Sequence, residues 1–114
     1  MALTCQTEQT PTCHLLRLEG QADVAAMPDL EQALTRLIAT RPKAVVVDLT
    51  QMSFISSLGI GSLLNLHKAI SRHGGRIRCV APQPMVAEAF RRVRLYDVLD
   101  IRDSLDAALD FSAG

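Results

Sequence analysis

The stretch Lys43-Ala44-Val45-Val46-Val47-Asp48-Leu49 constrains the fold more than any other part of the chain. Its β-branched residues run without polar alternation, so the strand they form must be buried on both faces. Burial of that kind belongs to the middle of a parallel sheet, and parallel neighbours need long crossover connections, usually helices. The flanking sequence supplies them. Leu30, Leu34, Leu37 and Ile38 fall on one stripe of an amphipathic helix that Pro42 stops. Pro28 suits its first turn; Asp29 and Glu31 lie at the positive end of its dipole, and Arg36 and Arg41 near the negative end. On the far side of the valine run, a loop from Thr50 to Ile55 leads to a second helix from about Ser57 to Arg72. Leu63, Leu66 and Ile70 give that helix its buried stripe, and Gly74-Gly75 stops it.

The remaining pattern continues the alternation of strand and helix. Ala2 to Glu8 and Cys13 to Glu19 read as strands joined by the turn Gln9-Thr10-Pro11-Thr12, and so short a connection makes them an antiparallel hairpin. Gly20-Gln21-Ala22-Asp23 breaks the second strand. Arg76 to Val80 is a further strand, with Ile77 and Cys79 facing opposite to Arg76 and Arg78. Val86, Phe90 and Val93 space out a third helix, and Val98 to Ile101 is a short final strand. Ser104 caps a last helix carrying Leu105, Ala108 and Leu109. The expected fold is α/β: a mixed sheet of about five strands with an antiparallel N-terminal hairpin and four helices. The 114 residues are the size of one domain, taken as 1–114.

Several functions are disfavoured. Lys plus Arg number 12 and Asp plus Glu also 12, so a basic face for nucleic acid is not expected. The aromatic residues are Tyr96, Phe54, Phe90 and Phe111, too few for a base-stacking platform. No apolar run approaches the roughly 18 residues of a membrane span, and the start lacks a basic region followed by an apolar one, so neither membrane insertion nor secretion is expected. Cys5, Cys13 and Cys79 cannot all pair within one chain and include no Cys-x-x-Cys, which reads as free thiols in the cytoplasm. No His, Cys and acid cluster has metal-ligand spacing, and Gly59-x-Gly61 lacks the third glycine of a dinucleotide loop, so no metal or cofactor is expected. A hydrolase elbow Gly-x-Ser-x-Gly is half matched by Ser57 and Gly59, but Ile55 stands in place of the first glycine. His67 and His73 give no sign of reaching Ser57, so no catalytic residue is assigned and a small serine hydrolase is a remote alternative. Arg91-Arg92 with Arg94 reads as a solvated helix face, with contact to an acidic partner as the alternative.

The segment Asp48-Leu49-Thr50-Gln51-Met52-Ser53-Phe54-Ile55-Ser56-Ser57-Leu58-Gly59-Ile60-Gly61 is the distinctive one. A buried strand ends, a polar loop follows, and two serines start a helix. Helix N-termini carry unpaired N–H groups and partial positive charge, so an anion carried on Ser57 is electrostatically favoured. Serine is equally a common cap, and a pair at a helix start needs no function. Gly59 and Gly61 either let another molecule approach the first turn or let that turn pack on the sheet.

Those residues, with Leu18-Glu19-Gly20-Gln21-Ala22-Asp23, Val45-Val46-Val47-Asp48-Leu49-Thr50, Gly74-Gly75 and Leu95-Tyr96-Asp97-Val98-Leu99, carry a resemblance over nearly the whole chain. In order and spacing the chain resembles a STAS domain of the bacterial anti-sigma-factor antagonist type. In that family the loop commonly reads Asp-Ser-Ser-Gly, and a partner anti-sigma factor that is also a serine kinase phosphorylates the first serine. Aligned on Gly59, that serine falls on Ser57, the acid on Ser56 and the second serine on Leu58. The resemblance implies a non-enzymatic, cytoplasmic regulator of transcription, modified at Ser57 with Ser56 as second candidate. It implies partner contacts at Asp23, Ser56, Ser57, Leu58, Gly59 and Ile60. Ser56 in place of the acid favours another reading, a STAS interaction module of a lipid-transport or other signalling complex that is not phosphorylated. An edge at Leu3 and Cys5 leaves dimerisation open.

Overall fold

A computed structural model describes residues 3–111 of the chain. The valine run forms β3 (Ala44–Asp48), and its three valines are fully buried. Val45 and Val47 join the larger core while Val46 joins a smaller one on the opposite face, as a two-sided central strand requires. β2 (His14–Ala22) and β5 (Arg76–Val80) flank β3 in parallel, β1 (Leu3–Gln9) pairs antiparallel with β2, and β6 (Asp100–Arg102) pairs parallel with β5. The strand order is β1-β2-β3-β5-β6, and β4 (Met52–Ile55) pairs in parallel with the end of β2. Helices α1 (Met27–Ala39), α2 (Ser57–Arg72) and α3 (Pro84–Arg92) supply the larger core with Leu30, Leu34, Leu63, Leu66 and Phe90. The opposite face is covered by the short α4 (Leu105–Leu109), which buries Ala108 against Leu15, Val46 and Val80.

The fold class is the expected α/β one, with four helices and the N-terminal hairpin. Several boundaries differ. The segment expected as a loop from Thr50 to Ile55 contains β4. Its two middle residues, Ser53 and Phe54, are both exposed, so the period-two signal of a strand is missing. β2 does not end at Glu19: Gly20 takes φ +109° at a register shift, a conformation glycine accepts easily, and pairing resumes at Gln21 and Ala22. The final strand starts at Asp100 rather than Val98, because Leu95–Asp97 form a 3-10 turn that leaves Val98 exposed. Val93, expected on the third helix's apolar stripe, is the exposed residue that ends it. Ala2, expected to open the first strand, lies outside the described residues.

Arg78 departs most from expectation. It lies opposite Ile77 and Cys79 as the alternation requires, yet it is only 1% exposed, on the same sheet face as Val46, its register partner. Its guanidinium donates to Ala108 O at 3.1 Å and Asp110 O at 2.9 Å at the C-terminal end of α4, where a cation also meets the negative end of the helix. Phe111 stacks on it at 4.2 Å, and Asp100 lies 3.4 Å from Nε. The three thiols are free, and Cys5 faces Leu18 across the hairpin. Burial pushes the Cys79 thiol up to about 12, with the charge of Asp100 adding to the effect. Among the described residues no helix is long and apolar enough to cross a membrane.

Candidate functional site

Three elements meet around the paired serines. β4 brings Ile55 beside Ala22 of β2, and the Ser56 N–H donates to Ala22 O at 2.8 Å. Asp23 follows directly, so the pairing carries it to the start of α2. Ser56 has extended backbone and is the N-cap of α2: its Oγ accepts from Gly59 N–H at 3.2 Å, and its carbonyl accepts from Ile60 N–H at 3.0 Å. Ser57 is thus the first helical residue, and its side chain is exposed. The connection before β4 is held from two sides. Asp48 Oδ1 accepts from the Thr50 N–H at 3.0 Å and hydroxyl at 2.7 Å, while Gln83 Nε2 donates to Thr50 O at 2.7 Å.

This geometry divides the expected contact residues. Ser57 and Leu58 are exposed, Leu58 at 57%, and Ser56 and Asp23 are half-buried. Gly59 and Ile60, expected among the partner contacts, are buried. A Cβ on Gly59 would meet Ile55 Cγ1 at 2.8 Å and Ala22 O at 3.4 Å, so this glycine lets the first turn of α2 approach β2 and β4. Gly61 has nothing within 4 Å of such a Cβ. Asp23 Oδ1 accepts from Ala26 N–H at 3.1 Å and caps the 3-10 turn Val24–Ala26. Ser56 therefore performs a structural task for which Asp is equally suited, since both residue types are good N-caps. Serine rather than an acid at this cap therefore alters charge at the site and not helix initiation.

Sequence reasoning missed apolar surface near the serines. Val24 and Phe54 are exposed, in segments that β2–β4 pairing brings together. A large apolar residue in a stretch otherwise reading as polar loop was the available signal for Phe54. No histidine accompanies Ser57. His67 and His73 lie about 15 and 24 Å further along the axis of α2 at 1.5 Å per residue, and His73 Nε2 is bonded to Pro42 O at 2.9 Å. His14 starts β2, away from the end of that strand which reaches the serines. Among the described residues no three His, Cys, Asp or Glu are grouped to hold a metal ion.

Comparison with known proteins gives the same frame. An anti-sigma-B factor antagonist of Staphylococcus aureus is 21% identical over 106 residues, covering 93% of this chain and 98% of that protein. The crystal structure of an anti-sigma factor antagonist from Mycobacterium paratuberculosis superposes with a TM-score of 0.87 at 26% identity, covering 94% of this chain and 91% of that one. The Bacillus cell fate determinant SpoIIAA in its phosphorylated form has a TM-score of 0.71 at 21% identity, covering 94% of this chain and 97% of its own. The STAS domain model matches residues 4–108, nearly the whole described fold, and this chain belongs to the STAS domain family.

Proposed function

We propose that this protein is an anti-sigma-factor antagonist whose binding to a kinase-type anti-sigma factor is switched off by phosphorylation of Ser57. The observation that carries the reading is the division of labour between the serines: Ser56 Oγ is engaged in capping α2, while the Ser57 hydroxyl is exposed at the first helical position. The names of the antagonists from S. aureus and M. paratuberculosis, and the phosphorylated form of SpoIIAA, support it. In the unmodified state Asp23, Ser57 and Leu58 form the contact surface, supported from beneath by Gly59 and Ile60, and docking frees a sigma factor from the partner. The partner then transfers the γ-phosphoryl group of ATP to Ser57 Oγ; the hydroxyl proton leaves and ADP departs. The phosphate brings about −1.5 to −2 charges. At a helix N-terminus that charge is tolerated, so the fold persists. The interface is lost, because a dianion next to Leu58 and Asp23 must be desolvated and meets a like charge. Such a regulator works in the cytoplasm, beside its sigma factor.

The test is incubation with the kinase-type anti-sigma factor encoded in the same genome and ATP, followed by mass spectrometry. The expected product carries one phosphate, on Ser57. Ser57→Asp is expected to keep the circular-dichroism spectrum and a cooperative melt while binding that partner weakly. Unfolding of this variant would refute the separation of fold from interface. Phosphate confined to Ser56, or tight binding with no transfer at all, would refute Ser57 as the switch; the second result favours the unphosphorylated interaction module.

A further inference from the structure

The turn of the N-terminal hairpin and the loop from α1 to β3 enclose a pocket of about 310 Å³. It lies where β2 starts at His14; the paired serines adjoin the other end of that strand, roughly 25 Å away at about 3.3 Å per residue. Its lining includes His14, Arg41 and Lys43, and none of the residues lining it is acidic. Arg41 and Lys43 are exposed, and neither forms an ion pair among the described residues. The chain as a whole carries equal numbers of cations and anions, so the positive charge here is a local excess. Carbonyls around the pocket are already occupied. Leu37 O accepts from the Thr40 N–H at 3.1 Å and hydroxyl at 2.7 Å, and Ile38 O from the Arg41 N–H at 3.0 Å, which uses up acceptors at the negative end of α1. Cys13 O accepts from the Thr10 N–H at 2.8 Å, Lys43 O from the Arg76 N–H at 2.8 Å, and Pro42 O is bonded to His73 Nε2 at 2.9 Å. What stays unpartnered is a set of donors: the Arg41 guanidinium and the Lys43 ammonium, with the His14 imidazole beside them. Arg41 also has left-handed backbone, φ 49°, directly after the C-cap Thr40, where glycine would sit at lower cost. Arginine at that strained position puts a guanidinium at the pocket.

We propose that this pocket binds the phosphate group of a small phosphorylated molecule. Free donors beside occupied acceptors call for a ligand rich in acceptor oxygens. Arg41 offers a planar fork of N–H groups and Lys43 a compact charge, and both suit phosphate. Two unpaired cations balance a dianion, whereas a single carboxylate would leave one of them uncompensated. The volume lies at the lower end of small-molecule sites, which begin at about 300 Å³, so the phosphate carries a short substituent rather than a large one. This site is independent of any modification of Ser57.

The test titrates the full chain at constant ionic strength with inorganic phosphate and with glycerol 3-phosphate, followed by nuclear magnetic resonance. Expected are saturable shifts in 9–14 and 40–44 and none at Ser56 or Ser57. The two probes separate the sources of the phosphate group: tighter binding of the ester assigns the pocket to an organic phosphate, and equal binding to free phosphate. Arg41→Gln and Lys43→Gln should each weaken binding about tenfold, as loss of a hydrogen bond to a charged group does. Arg92→Gln, on α3 and outside the pocket, should leave it unchanged. Arg41→Gly should lose binding by a similar factor yet melt no lower than wild type without phosphate, because glycine accepts φ 49° without strain. That variant separates loss of the site from loss of the fold. Three results would overturn the proposal: no saturable shift at millimolar phosphate or ester, acetate binding as tightly as phosphate, or binding that survives both glutamine substitutions. None of these measurements involves the kinase, so their failure leaves the Ser57 reading standing.

Discussion

Ser56 Oγ accepts from Gly59 N–H, whereas the neighbouring Ser57 is an exposed residue, so the two serines respond differently to removal. Ser56→Ala deletes the cap of a 16-residue helix and is expected to lower stability by about 1 kcal/mol. Ser57→Ala should change it by less than about 0.5 kcal/mol, as surface substitutions do. Ser56→Asp restores a capping oxygen and should melt close to wild type. Thermal denaturation of the three variants checks this; equal losses for Ser56→Ala and Ser57→Ala would show that the cap contributes nothing particular. The glycines separate in the same way. Gly61→Ala has room and removes a flexible residue from a helix interior, so it should stabilise by up to about 1 kcal/mol. Gly59→Ala should destabilise, because its Cβ would press on Ile55 Cγ1.

At the scale of elements, α4 has five residues, far below the length at which a helix holds itself together in water. Its position depends on Arg78, which binds the carbonyls of Ala108 and Asp110 from the sheet, on Phe111 over the guanidinium, and on Thr12 Oγ1 donating to Leu109 O at 3.3 Å. Arg78→Met keeps the side chain's length but loses the charge-assisted hydrogen bonds, with an expected loss of roughly 2–3 kcal/mol. Hydrogen exchange should then rise in 105–109 much more than in α2. Uniform acceleration across the chain would mean instead that Arg78 supports the whole sheet rather than this one helix.

At the scale of the whole molecule, stability should depend on pH through two groups of opposite character. Asp100 accepts from Arg102 at 2.6 and 3.0 Å and lies near Arg78; chiefly the Arg102 hydrogen bonds hold its carboxyl below the usual carboxylate value. A folded pKa below the unfolded one means stability that is present above about pH 4 and is lost as pH falls through the folded pKa. Asp100→Asn should therefore flatten the acid side of the stability profile. Cys79 is raised from 9.0 to about 12, so its contribution is intact below pH 9 and is lost as pH rises from there towards 12. Cys79→Ala should lose less stability over that interval than wild type. Chemical denaturation from pH 2 to 11 tests both; acid and alkaline limbs unchanged by the two substitutions would remove these groups as the cause.

The amino-acid order alone determined the class of fold and the place of the candidate site. Three successive valines can only be buried from both sides, and the helical stripes beside them leave a parallel sheet with crossovers as the arrangement that buries everything. The serine pair at a helix start was legible because capping chemistry is local. What tertiary structure decided was whatever depends on partners distant in sequence. The alternation in β5 sets Arg78 opposite Ile77 and Cys79 but does not show that α4 folds over it, and the sequence leaves open whether Gly59 admits another molecule or packs on the sheet until β2 and β4 are seen beside it. β4 could not be read from its four residues, because its pairing with β2 follows a register shift at Gly20 and one of its edges stays open. Periodicity reports the environment of a residue within its own element; it carries no information about which other element supplies that environment.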